Sequence, residues 1–168
     1  TVVADPCFPI KVSHCHVKHL LAENVDFVFV PNIIVSETPY PETQSFMCPW
    51  GQTLPYVVKA ASYFQAHEKK FLVPTLHLRD GFETVARELA TYFKNSPLKL
   101  AKGKVTKALA AGYAAQQRFI DRIQAAGREA VRKLEETGEI GIILVGRPYN
   151  INDAGVNRLF VSICGKLQ

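Results

Sequence analysis

The sequence lacks several features that would place it in a specialised class. It contains no uninterrupted apolar run near the roughly 20 residues that a membrane-spanning helix needs, so we expect no membrane partner. Charged residues make up 21% of the 168 residues, and Gly and Pro number 10 each, which argues against a disordered, collagen-like or coiled-coil chain. The net charge of +5 is small, and the basic residues lie mostly in a segment, 94–133, that also carries acids, so no nucleic-acid partner is expected.

Methionine and cysteine are also scarce. The single methionine is Met47 and the sequence starts at Thr1, so we expect a domain taken from a longer protein. No leader of basic, apolar and small residues is visible, and there are four cysteines, which together favour a reducing, cytoplasmic location. In such a compartment cysteine serves more often as a metal ligand, a catalytic group or a core residue than in a disulfide.

Short apolar runs alternate with amphipathic helical patterns along the chain. The predicted helices cover about 9–24, 52–67, 81–94 and 98–136, and the predicted strands cover 27–30, 71–78 and 140–146. Gly138 predicts the end of the longest helix, because glycine is the usual residue just past a helix end. A last helix is predicted after Asp153.

This alternation is typical of an α/β fold with a parallel sheet. We predict a short parallel sheet with flanking helices, a long connector helix, and the start of a second α/β lobe. The predicted division is an α/β lobe over 1–97, the connector helix over 98–138, and the second lobe from 139 to 168.

Two cysteines lie directly ahead of predicted helices, each beside proline. Cys7 precedes Pro9, and Cys48 precedes Pro49. Amide groups and the positive end of a helix dipole favour a thiolate at such a place, which suits a metal ligand or a reactive thiol. Cys15 and His19 are four residues apart and share one helix face, as two ligands would need.

The residues alone leave three interpretations of these side chains open. A zinc site would use Cys7, Cys15, Cys48 and a histidine, although the sequence has no paired CxxC spacing. An iron–sulfur cluster would take the same thiolates together with ligands from outside the chain. In the third interpretation most of these side chains bind no ligand. Cys15 and Cys164 would be small core residues, and His19, His67 and His77 would be ordinary structural histidines.

The turn after the strand predicted at 140–146 is another candidate site, since open α/β sheets bind ligands at the carboxyl ends of strands. The candidate ligand-binding residues here are Arg147, Tyr149, Asn150 and Asn157. Helix-start amides and the Arg147 guanidinium suit a phosphate or carboxylate. The turn is neither a P-loop nor a GxGxxG turn. The alternative is a plain helix start with Asn152 or Asp153 as N-cap.

Five motifs together resemble a known family. They are Cys7-Phe8-Pro9-Ile10-Lys11, Ser13-His14-Cys15-His16, Val25-Asp26-Phe27-Val28-Phe29-Val30-Pro31, Cys48-Pro49 and Gly146-Arg147-Pro148-Tyr149-Asn150. The combination resembles the uncharacterised domain of long-form CoA-substrate-specific enzyme activases, relatives of the 2-hydroxyacyl-CoA dehydratase activators. The resemblance concerns the part of those proteins that is similar to dehydratase subunits and double-cubane-cluster proteins.

This resemblance implies α/β lobes joined by helices, with an iron–sulfur cluster near the lobe junction. Cys7 and Cys48 fall where the family places cysteines suited to ligation, and a third is expected beyond Gln168. The family usually has His-Gly-His where this chain has a cysteine, so Cys15 is either an extra ligand or a tolerated small residue. The side chains placed to tune the cluster's potential are Lys11, His14 and His16.

The implied activity is ATP-coupled, low-potential electron transfer to a 2-hydroxyacyl-CoA dehydratase-like partner. ATP-binding motifs are missing from this sequence, so ATP hydrolysis would belong to an actin/Hsp70-like ATPase part of the same protein. We expect the fragment not to be catalytic alone. The alternatives are a metal-free domain that binds acyl-CoA or a nucleotide, and a structural docking scaffold. Since the related proteins assemble as dimers, a homodimer is one expected assembly.

Overall fold

The computed structural model describes residues 6–153 and 155, and it has the predicted α/β class. The helices are α1 (Phe8–Ala22), α2 (Pro49–Ala60), α3 (Ser62–Gln65), α4 (Phe82–Asn95), α5 (Lys102–Thr137) and α6 (Pro148–Asn152). The strands are β1 (Val28–Phe29), β2 (Asn32–Val35), β3 (Phe71–Leu72) and β4 (Thr75–His77). None of the described helices is long and apolar enough to cross a membrane.

The chain divides into two compact units, residues 1–114 and 115–168, and the division falls within α5. α5 itself confirms the predicted connector helix, and it ends as expected at Gly138, whose φ of 67° is in the left-handed region. The Gly138 amide donates to the Leu134 carbonyl oxygen at 2.9 Å, which satisfies one of the last free carbonyl groups of the helix. The division into parts at 97 and 138 stays a prediction.

The strands form two separate parallel pairs. β1 pairs with β3, where Val28 lies opposite Phe71, and β2 pairs with β4, where Asn32 lies opposite Thr75. Pro31 separates β1 from β2 and Pro74 separates β3 from β4, because proline has no amide to donate to a sheet ladder. The strand predicted over 27–30 therefore ends before Pro31, as expected, but the separate strand beyond Pro31 was not predicted. The chain continues into β2, and the strand predicted over 71–78 is interrupted.

Helix α2 also differs from its prediction. It begins at Pro49 instead of residue 52, so Pro55 lies inside the helix and not in its first turn. The predicted single helix to residue 67 is broken at Ala61, whose extended ψ of 130° ends α2 and precedes the short α3. The earlier start matters for the site, since it makes Cys48 the N-cap residue of the helix.

Two apolar clusters form the core of the first unit. One combines α1, α2 and α3 with β1 and β3, and its buried members are Val17, Leu21, Val28, Val58, Phe64 and Phe71. The other packs β4 against α4 and the start of α5, and its buried members are Leu76, Val85, Leu89 and Val105. Burial of these faces explains the helical spacing of apolar residues seen in the sequence.

The strand predicted over 140–146 is wrong in this structure. These residues form no strand, and Ile140 and Val145 are 93% and 94% exposed. A parallel strand needs a neighbour to receive its amide and carbonyl groups, and no strand of residues 6–153 pairs with this segment. The helix predicted after Asp153 lies outside the described residues, as do Asn157 and Cys164.

We expect Ile143→Lys to change the free energy of unfolding of this chain by less than about 0.5 kcal/mol, because the side chain is 88% exposed. Val85→Ala is the matched comparison. Its side chain is fully buried, so it should cost about 2 kcal/mol. Urea denaturation of both variants checks this. A loss in Ile143→Lys as large as that in Val85→Ala would show that the segment is buried.

Candidate functional site

Cys7 is the N-cap residue of α1 and is exposed. Its backbone is extended, with φ −61° and ψ 159°, and proline lies in the first turn that follows. Its carbonyl oxygen accepts from the amides of Ile10 at 3.1 Å and Lys11 at 3.3 Å. Its thiol makes no capping hydrogen bond to α1 within the described chain.

Cys48 has the same place at the start of α2 and is also exposed. Its Sγ accepts a hydrogen bond from the amide of Gly51 at 3.3 Å, so the side chain caps the helix. A Cβ atom on Gly51 would lie 3.6 Å from this sulfur and 3.3 Å from Met47 Cε, so glycine leaves room for both. The prediction that both cysteines lie at helix starts is confirmed. Their role as ligands stays a prediction.

Cys15 lies in the middle of α1, well away from Cys7. The helical rise separates the two positions by about 12 Å along the axis, whereas sulfurs that share one zinc ion lie roughly 4 Å apart. Cys15 is exposed, so its interpretation as a small core residue was wrong. Residues 6–153 and 155 bring no group of three His, Cys, Asp or Glu side chains together as a metal site.

The first helix also carries the predicted tuning residues. His14 is half-buried, its Nδ1 donates to the Ile10 carbonyl oxygen at 2.9 Å, and its ring centre lies 6.1 Å from that of Phe64. Through the ring contact with Phe64, His14 helps to pack α1 against α3. Lys11 follows Cys7 by one turn, and Lys11 and His16 are both exposed.

The predicted ligand turn lies in the second unit. α6 has five residues, Arg147 is its N-cap residue, and Arg147 Nη1 donates to the Tyr149 hydroxyl at 3.2 Å. Asn150 lies within this short helix. The prediction of Asn152 or Asp153 as N-cap concerns the helix expected after Asp153, which lies outside the described residues. In α6, Asn152 is the last residue and Asp153 the C-cap. The Asp153 carboxylate instead accepts from the Gly155 amide at 2.9 Å.

The loop of residues 36–47, which leads to Cys48, is folded by specific contacts that the sequence did not indicate. The Ser36 amide donates to the Ser45 carbonyl oxygen at 2.9 Å, and the Met47 amide donates to the Ile34 carbonyl oxygen at 2.9 Å. The Ser36 hydroxyl also donates to Met47 Sδ at 3.0 Å. These bonds join the two ends of the loop beside β2.

Arg79 contacts the middle of the same loop. Its Nη1 donates to the Thr43 carbonyl oxygen at 2.8 Å and lies 3.4 Å from the Ser45 hydroxyl. Its Nη2 donates to the Pro41 carbonyl oxygen. Arg79 is therefore a residue of the candidate site that sequence reasoning missed, and no local pattern around it would have revealed its partners.

His77 and Glu88 form a pair at the carboxyl end of β4. His77 Nδ1 lies 2.7 Å from Glu88 Oε1, and the His77 amide donates to Glu88 Oε2 at 3.0 Å. The carboxylate thus joins α4 to the end of the strand through two hydrogen bonds. This confirms the interpretation of His77 as a structural histidine.

We expect Glu88→Ala to lower the free energy of unfolding by about 1 to 2 kcal/mol, because it leaves the half-buried His77 groups without their acceptor. Arg87→Ala, at an exposed position of the same helix, is the control and should change it by less than about 0.5 kcal/mol. Thermal and urea denaturation measure both. Equal effects of the two substitutions would contradict a structural role for the pair.

Three of the described side chains, those of Tyr113, Glu129 and Arg132, have shifted pKa values. Burial raises the pKa of the Tyr113 hydroxyl, and the nearby negative charge of Glu37, just after β2, raises it further. On α5, a hydrogen bond from Arg132 lowers the pKa of Glu129. The raised pKa keeps the Tyr113 hydroxyl protonated beside the Glu37 carboxylate. The lowered pKa of Glu129 reflects its surface ion pair with Arg132.

Comparison with known proteins gives one match. A family model described as a CoA enzyme activase uncharacterised domain matches residues 1–167. No curated protein and no solved structure matches the chain.

Proposed function

Since this chain belongs to the family of CoA enzyme activase domains, which confirms the family that the five motifs indicated, we propose that it supplies thiolate ligands to an iron–sulfur cluster. Cys7 and Cys48 are the proposed ligands. The observation that carries this proposal is that both are exposed N-cap residues of helices whose first turn contains proline.

The electrostatics of the two helix starts support the proposal. Free amide groups and the helix dipole stabilise negative charge at a helix N-terminus, and a cluster bound by thiolates is negatively charged. Helices α1 and α2 pack against each other, so the two cysteines are carried by neighbouring elements of the same unit. Lys11, one turn after Cys7, adds positive charge to this part of α1.

The donor set fits a cluster only in part. Iron–sulfur clusters usually take four thiolates, and the described residues offer two at helix starts and no group of three donors. The remaining ligands would come from outside the described residues, as the resemblance implies for a third cysteine. When bound, such a cluster would supply one-electron transfer at low potential.

The partners follow from the same proposal. An actin/Hsp70-like ATPase part of the parent protein would couple ATP to electron transfer, and a 2-hydroxyacyl-CoA dehydratase-like enzyme would accept the electron. The parent would work in the cytoplasm as a homodimer. Acyl-CoA is proposed as the ligand of the Arg147 turn, whose guanidinium suits a phosphate.

The experiment that tests the proposal is the determination of iron and acid-labile sulfide in the intact parent protein, purified without oxygen. We expect stoichiometric iron and sulfide together with the visible absorption of a cluster. A parent protein that contains neither iron nor sulfide after such a preparation would overturn the proposal.

A metal-free role is the second candidate, and the missing third donor among the described residues favours it. The domain would then dock the ATPase part, or bind acyl-CoA or a nucleotide. As a scaffold it would tolerate Cys7→Ala and Cys48→Ala with about 1 kcal/mol of lost stability or less. Thermal stabilisation of the iron-free chain by CoA esters would favour the binding role.

A further inference from the structure

The position of Cys48 depends on the loop of residues 36–47, which connects β2 to α2. This loop contains Pro39 and Pro41, and most of its side chains are polar or exposed. Its ends are joined by the bonds of Ser36 and Met47 beside β2. Few buried apolar groups stabilise its middle, so its conformation depends on polar contacts.

Arg79 supplies the contacts to the middle of the loop. It lies in the turn Leu78–Asp80, directly after β4, and is half-buried. Its two terminal nitrogens bond to the carbonyl oxygens of Thr43 and Pro41. The planar guanidinium directs several N–H groups at once, whereas a lysine ammonium on the same backbone would not reproduce this geometry.

The contacts continue from Arg79 to the residue before Cys48. The Ser45 hydroxyl lies 3.4 Å from Arg79 Nη1. The Ser45 carbonyl oxygen accepts a hydrogen bond from the Ser36 amide. The Ser36 hydroxyl bonds to Met47 Sδ, and the Met47 carbonyl oxygen accepts from Gln52 Nε2 at 2.6 Å. The loop is thus joined to the first turn of α2 as well as to β4.

We propose that Arg79 is a positioning residue for Cys48. It holds the 36–47 loop in the conformation in which Cys48 caps α2 and its Sγ accepts the Gly51 amide. The proposal rests on the proposed function, in which the Cys48 thiolate is the working group. It adds the residue that keeps this side chain at the start of α2, beside the Gly51 amide.

The test measures hydrogen–deuterium exchange of individual backbone amides in the reduced chain. In Arg79→Ala the loop loses its contacts to Thr43 and Pro41, so exchange of the Met47 and Gly51 amides, on either side of Cys48, should speed up about tenfold. The amides of Ile10 and Lys11, at the start of α1, are the internal control and should not change. Arg79→Lys should give a smaller increase at Met47 and Gly51 alone, and Arg87→Ala none.

Two results would overturn the proposal. One is unchanged exchange of the Met47 and Gly51 amides in both Arg79 variants. The other is an equal increase at the start of α1 and at these two amides, which would show that Arg79 acts on the stability of the whole unit. The exchange measurement needs no iron, so an iron-free parent protein would refute the cluster without affecting this test.

Discussion

Cys48→Ala should reduce the iron and acid-labile sulfide of the intact parent protein to near background. The substitution removes an exposed thiol that is a proposed ligand, and the described residues hold no group of three metal-binding side chains that could take over its role. Cys7→Ala should have the same effect, because its thiol has the equivalent place at the start of α1. Metal analysis of protein purified without oxygen, with circular dichroism to confirm folding, measures the loss.

Cys15→Ala is the matched control for this experiment. Cys15 is an exposed cysteine of the same helix as Cys7, about 12 Å farther along its axis, so its removal should leave iron unchanged. Iron lost equally in all three variants would indicate general damage to the site. Iron retained in Cys7→Ala and Cys48→Ala would leave the docking or binding role as the better explanation of this domain.

Phe64→Ala should destabilise the first unit by about 3 to 5 kcal/mol. The ring is 3% exposed and contacts the rings of His14, Tyr63 and Phe71, so it joins α3 to α1 and β3. Domains of this kind have a total stability of roughly 5 to 15 kcal/mol, so this loss is a large share of it. Urea denaturation followed by circular dichroism gives the change.

Tyr56→Ala is the control for Phe64→Ala. Tyr56 is an aromatic residue of α2 that is 54% exposed, so its truncation should cost less than about 1 kcal/mol. A Phe64→Ala variant as stable as Tyr56→Ala would contradict the arrangement of α1, α3 and β3 around this ring.

Local patterns predicted the helices well and the strands less well. α1, α4 and α5 lie close to their predicted bounds, because apolar spacing, proline and glycine act within one or two turns of a helix. Strand β2 was missed since Pro31 follows the end of β1, yet a second parallel pair begins directly beyond it, where the Asn32 amide donates to the Pro74 carbonyl oxygen at 2.8 Å. The apolar run at 140–146 has the composition of a buried strand but no partner among the described residues.

The candidate site shows the same difference between features set by local sequence and features set by distant contacts. Its two cysteines were predicted because a cysteine beside proline at a helix start is a local pattern. Arg79 was not, since its contacts join residues 34 to 38 positions apart in the sequence. The His77–Glu88 pair likewise depends on how α4 packs on β4, and nothing near either residue identifies the other.

Local sequence patterns were enough to predict the α/β class, a helix after Cys7 and another after Cys48, the end of α5 at Gly138, and the family. These depend on backbone preferences and capping, which act over a few residues. Tertiary structure alone decided which strands pair, where the 36–47 loop is held by Arg79, and that residues 140–146 are exposed. Such features depend on burial and hydrogen bonds between distant segments, whose free energy no local pattern contains.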